Sequence, residues 1–132
     1  MAYEQIDYII PGLVASTNNS DYQHHFVVVT STGTAVATAI GQNCDGVQQD
    51  KPGAANLETS VAQHGVSKVM AGGTVAVGAE VMSDASGHAI TAAAAAFGAG
   101  PRYIMGRCLV GGDSGELISV LLYKLILLQL TS

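Results

Sequence analysis

Short β-branched runs separated by glycine-bearing turns leave this chain few ways to fold. Phe26-Val27-Val28-Val29-Thr30 is followed by the turn Ser31-Thr32-Gly33 and by a second run, Thr34 to Ile40. The pattern recurs around Lys51-Pro52-Gly53 and Asp84-Ala85-Ser86-Gly87. Proline presets the first of these bends, while Asp can bond back to the backbone and Gly can take φ > 0 in the second. Strands this short, with turns every ~8–12 residues, are the signature of a sandwich or barrel. The expected class is therefore all-β (mainly β), with at most one short helical turn.

The strand pattern continues along the chain. Val47 opens a short strand, Leu57 to Ala62 reads as another, and His64-Gly65 reads as a tight corner before Val66 and Val69. Val75 and Val77 alternate with smaller residues up to Gly78; Glu80 to Ser83 and His88 to Thr91 flank the Asp84–Gly87 turn as partners. The alanine run Ala92 to Ala96 fits either one helical turn or a small-residue strand, since so short a segment is marginal as a helix. Tyr103 to Val110 is a strand with a glycine bend at Gly106. Gly111 to Gly115 is a loop, Glu116 to Leu122 a buried strand, and Tyr123 to Leu130 an apolar tail.

The first 25 residues read differently. A short apolar patch, Ile6-Asp7-Tyr8-Ile9-Ile10, ends at Pro11-Gly12, and the polar stretch Ser16 to Asp21 follows. That is too little apolar mass to fold alone, but enough to lie across a neighbour. The expected organisation is an extended N-terminal arm over residues 1–25 and a β-rich domain over residues 26–132.

Composition narrows the function. At 132 residues the chain makes one domain. Only 11% of residues are charged while 48% are hydrophobic, too few charges to clothe a free monomer. An oligomer or a partner surface is implied. The formal charge of −5 and five scattered basic residues exclude phosphate-backbone binding, which needs clustered Lys and Arg. The same scarcity argues against an anionic membrane surface. No basic leader opens the chain, so no signal peptide is expected. The apolar run Leu117 to Leu130 is interrupted by Ser119, Lys124 and Gln129 and is shorter than the ~20 residues of a membrane span.

Candidate chemistry is sparse. Cys44 and Cys108 form no CxxC and read as small buried or half-buried thiols, with an intermolecular disulfide as the alternative. His24-His25 would point to opposite faces of a strand, so surface or interface positions are expected and no metal site. Gly112-Asp113-Ser114-Gly115 matches the tetrapeptide around a trypsin-like nucleophile, but no histidine has the context of its base. The Gly72-Gly73 stretch lacks the G-K-[ST] ending of a phosphate loop. No enzyme activity, cofactor, metal or small-molecule substrate is expected.

With those residues in view, Gly46 to Leu122 resembles the head-decoration, or capsid cement, proteins of tailed bacteriophages. The resemblance rests on Gly46-Val47, Gly53, Val61-Ala62-Gln63-His64-Gly65, Ala71-Gly72-Gly73 and Gly78-Ala79-Glu80-Val81. It continues through Asp84-Ala85-Ser86-Gly87, Ile104-Met105-Gly106-Arg107-Cys108-Leu109 and Gly115-Glu116. It implies a compact β-barrel or β-tulip-like domain on the capsid exterior, made in the host bacterial cytoplasm. The implied partners are the major capsid protein and other copies of the chain, a homotrimer being favoured and a dimer open. The two ends, an arm able to lace onto a neighbour and an apolar final segment, are the expected contact surface: Tyr3, Ile6, Tyr8, Ile9, Ile10, Leu121, Tyr123, Leu125 and Leu127. The alternatives are another structural β-module of the virion (a tail or head-completion component) and a small hydrolase built on Ser114.

Overall fold

The computed structural model describes residues 2–92 and 101–128. Among them lie nine strands: β1 (Gln5–Ile10), β2 (Phe26–Thr30), β3 (Gly33–Val36), β4 (Gly46–Gln48), β5 (Val61–Met70), β6 (Glu80–Ser83), β7 (Ala89–Thr91), β8 (Pro101–Val110) and β9 (Leu117–Leu128). A 3-10 turn at Ser20–Tyr22 is the one helical piece described. The fold is all-β, as the turn pattern required, and takes the form of a curled antiparallel half-barrel. Most of the alanine run lies outside the described residues.

One sheet runs β3-β2-β4-β5-β9-β8-β6-β7, and β1 is added onto β5. β1 pairs with β5 from Gln5↔Val66 to Ile10↔Val61. β4 also meets Val61 and Ala62, whereas β9 pairs from Gly65↔Leu122 to Met70↔Leu117. A strand residue has one neighbour on each side, so β1 holds one edge of β5. β4 and β9 share the opposite edge end to end.

Alternation sets the core. Ile118, Val120 and Leu122 of β9 turn inward onto Phe26, Val47, Val69, Val81 and Met105. At Gly106 β8 lies close against β9: a Cβ there would stand 2.4 Å from the Leu121 carbonyl oxygen. The β8–β9 register slips at that point, between Ile104 and Gly106. This is the glycine bend expected from sequence, realised as a bulge.

The curl brings the two ends of the sheet together. The Phe26 N–H donates to the Gly87 carbonyl at 2.8 Å, tying the start of β2 to the β6–β7 turn. That turn has the expected chemistry: Asp84 Oδ1 accepts from the N–H groups of Ser86 (2.8 Å) and His88 (2.9 Å), and Gly87 has φ +82.

Four expectations are corrected. His64-Gly65 is no corner but the middle of β5; Gly65, at φ +99, lets the strand continue while β1 lies against it, where a Cβ would meet the Gln5 oxygen at 2.3 Å. Leu57 to Ser60 precedes the strand instead of forming it, held by the Val14↔Glu58 bridge. Val75 and Val77 belong to a loop, with Val75 buried and bridged to Gly112. Leu117 to Leu122 and the described part of the apolar tail, as far as Leu128, are one strand, β9.

The arm is corrected too. Residues 5–10 form β1 on the chain's own sheet, and residues 13–25 are packed down. Asn19 is 1% exposed and its Nδ2 donates to the Thr34 carbonyl. Gln48 Nε2 in turn donates to the Asn19 carbonyl at 2.9 Å. Main-chain and amide bonds hold this polar stretch, so apolar mass was the wrong measure of whether it folds.

Candidate interface at the two ends of the chain

Pairing with β5 brings together segments from opposite ends of the sequence. Val66 stands in register with Gln5 of β1 on one side and Leu121 of β9 on the other. Leu121 pairs with Arg107 of β8, and Arg107 with Glu80 of β6. Gln5, Val66, Leu121, Arg107 and Glu80 therefore form one row across five strands. This row lies on the face opposite Val120 and Leu122, outside the barrel.

Tyr3 is fastened to the same face. Ser119 Oγ accepts from the Tyr3 N–H at 2.6 Å and donates to the Tyr3 carbonyl at 2.7 Å. Ser119 shares the outward phase of Leu121, yet it is fully buried because the N-terminal segment covers it. A hydroxyl offers one donor and two acceptor sites, and here it clamps both polar groups of one residue.

The expected contact residues divide. Tyr3 (50% exposed), Tyr8 (47%), Ile9 (38%), Leu121 (39%) and Leu125 (49%) present apolar surface to solvent. Ile6 and Ile10 are half-buried, and Ile6 packs against the core, so Ile6 is a structural contact of β1. Tyr123 is half-buried and its hydroxyl donates to Glu80 Oε2 at 3.2 Å. Burial, reinforced by that carboxylate, pushes the Tyr123 phenol up from its usual value. The side chain of Leu127 lies outside what is described. Val66, Arg107, Glu80 and Ser119 were not singled out from sequence, although the outward phase of β8 and β9 carries a signal for Arg107 and Ser119.

Two cavities flank this face. One, of about 120 Å³, opens where β4 and β9 diverge along β5 and is lined by Asp45, His64, Met105, Tyr123 and Lys124. The other, of about 490 Å³, lies beneath Ile9 to Val14, with Asp50 and Glu58 on its wall. Asp50 is already engaged, accepting from Thr59 Oγ1 at 2.6 Å and from the Ser60 N–H at 3.1 Å.

The remaining candidates lie apart from this face. Ser114 sits in an exposed turn closed by the Glu116 N–H on the Asp113 carbonyl. Cys44 and Cys108 are free and buried. His24 and His25 are not on a strand: His24 takes φ 63 and is half-buried, while His25 is only 7% exposed, so the expected surface placement is corrected for His25. Among the described residues, no group of three or more His, Cys, Asp or Glu is placed to hold a metal ion, and no helix is long and apolar enough to cross a membrane.

These features define a small all-β half-barrel whose N-terminal segment is fastened to its last described strand on one partly apolar outer face. Among solved structures, the fold is similar to that of the head fiber gp8.5 N base in bacteriophage phi29. The likeness has a TM-score of 0.69, covers 88% of this chain and 95% of that one, and is accompanied by 14% sequence identity. No family model and no curated protein matches the chain.

Proposed function

We propose that this chain is a non-enzymatic structural protein of a phage virion that attaches to the outside of the head. The observation that carries the reading is the fold it shares with a phage head fiber base. The sequence resemblance to capsid cement proteins supports the same location. Within that reading, the chain decorates and braces the capsid, self-associating and contacting the major capsid protein through Tyr3, Tyr8, Leu121 and Leu125. Low charge and an outer face of tyrosine and leucine suit a partner surface. Repetition over many copies makes weak contacts collectively strong. A second reading, favoured by the name of the structural neighbour, is the anchoring base of a head appendage.

The test is occupancy of purified heads by the wild-type chain and by Leu121→Asp/Leu125→Asp. Both side chains are partly exposed, and circular dichroism with the urea midpoint checks that the variant is folded before binding is compared. Burying a half-exposed leucine contributes about 1 kcal/mol, and a buried unpaired carboxylate costs more. Head binding should fall at least tenfold. Full occupancy by the variant would refute this face as the contact, and no density for the wild-type chain on heads by cryo-EM would refute the head location. Density at a few sites, each continuing into a protruding appendage, would favour the fiber-base reading over the cement reading.

A further inference from the structure

We propose that His25, His88 and Asp84 form an acid-sensitive latch on the seam where the curled sheet closes. The seam joins the start of β2 to the β6–β7 turn through the Phe26–Gly87 main-chain bond described above, and the Gly41 N–H, donating to the Ser83 carbonyl at 2.8 Å, adds a second tie that holds no histidine. Both histidines sit directly on it. Their ring centroids are 4.7 Å apart, and His88 Nδ1 lies 3.3 Å from Asp84 Oδ2. Gly87 leaves no slack, since a Cβ there would stand 3.0 Å from the Phe26 oxygen and 3.3 Å from the His25 Cβ. Any repulsion between the rings therefore acts on the bond itself.

Hydrogen bonding fixes the protons at neutral pH. His25 Nδ1 lies 2.9 Å from the Gln23 carbonyl, which can only accept, so Nδ1 carries the hydrogen. His88 Nδ1 lies beside the Asp84 carboxylate, the side of the ring where an N–H is favoured. A second proton on His25 must enter at Nε2. When both rings are charged, two cations share a site 4.7 Å across, and Asp84 can balance one of them. Tyr22, edge-on to His25 at 5.6 Å, supplies no charge. The neighbouring His24 is likewise held below its ordinary value, first by burial and then by Lys68, His25 and Lys51, with Glu4 opposing.

Burial holds the His25 imidazole below its ordinary value; the Gln23 hydrogen bond opposes this, His88 adds to it and Asp84 opposes it. The unfolded or opened form therefore binds protons more readily than the closed form. The closed seam is at full strength above about pH 6.5 and weakens as pH falls through that value towards the lowered one. Mild acid releases the β6–β7 hairpin from β2 while the β5–β9 ladder, which holds no histidine of this cluster, stays intact.

The experiment is amide hydrogen exchange of the full chain at pH 7.5 and 5.0, each rate divided by its intrinsic value. Protection of the Phe26 amide should fall at least tenfold more than that of the β5–β9 ladder. His88→Gln removes one cation and should shrink this difference to threefold or less. Asp84→Asn keeps the turn-forming Oδ1 but removes the counter-charge, so the seam should open at a higher pH than in the wild type. Loss of protection at Phe26 in step with the ladder would overturn the latch. So would a full tenfold difference in His88→Gln, or an unshifted midpoint in Asp84→Asn.

Discussion

Removing the Ser119 hydroxyl tests how the N-terminal segment is held. Ser119→Ala deletes both hydrogen bonds to Tyr3, at 2.6 and 2.7 Å, without touching the inward side chains of β9. A hydrogen bond contributes about 0.5–1.5 kcal/mol net, and more when its loss strands a buried group. Tyr3 is 50% exposed, so its freed N–H and carbonyl regain water and the pair is worth about 1–2 kcal/mol. At about 1.4 kcal/mol per decade, local detachment of the first residues rises roughly 5- to 30-fold. Chymotrypsin reports this directly, because Tyr3 and Tyr8 lie in the segment and cleavage needs it extended and free. Cleavage after Tyr8 should accelerate by that factor, and the urea midpoint should fall by no more than the same ~1–2 kcal/mol accounts for at constant slope. Unchanged cleavage at Tyr8 would refute the clamp.

Gly106→Ala should lower global stability by about 1–3 kcal/mol, because its Cβ meets the Leu121 oxygen at 2.4 Å and Val120 Cγ1 at 2.6 Å; a lower urea midpoint at constant slope is the readout. Burial pushes the Cys44 thiol up to about 12, opposed by its Ser83 hydrogen bond, so iodoacetamide at pH 8 should label Cys44 only on unfolding. Because the folded value lies above the unfolded one, Cys44 supports the fold below about pH 9 and that support is lost as pH rises towards 12. The alkaline side of a pH–stability profile should be shallower in Cys44→Ala.

Local chemistry was legible in the sequence. The Asp84–Gly87 turn, the β2 run and the glycine bend at Gly106 were each read from residues whose conformational preferences decide the matter within a few positions. What failed was non-local. Gly65 looks like a corner unless one knows that β1 lies against it. The polar stretch from Ser16 to Asp21 looks like an arm unless Gln48 and Thr34 are known to meet Asn19. The candidate face shows the same division. Its two ends were apparent as apolar segments outside the glycine-punctuated middle. Their meeting across Val66, and the Tyr3–Ser119 clamp over 116 positions, depend on pairings that no local pattern encodes.

The shared spine has a mechanical consequence. β1 and β9 both run antiparallel to β5 on its opposite edges, so they run parallel to each other. Gln5 leaves β1 at the Val66 level heading towards Met70, while β9 passes Leu122 at Gly65 and continues the other way to Leu128. Tension applied between residue 5 and residue 128 therefore drags the two outer strands along β5 in opposite directions. Such a load shears the ladders on both sides of β5, stretching their bonds together instead of unzipping them in turn. The half-barrel is strung to resist being pulled out by its ends.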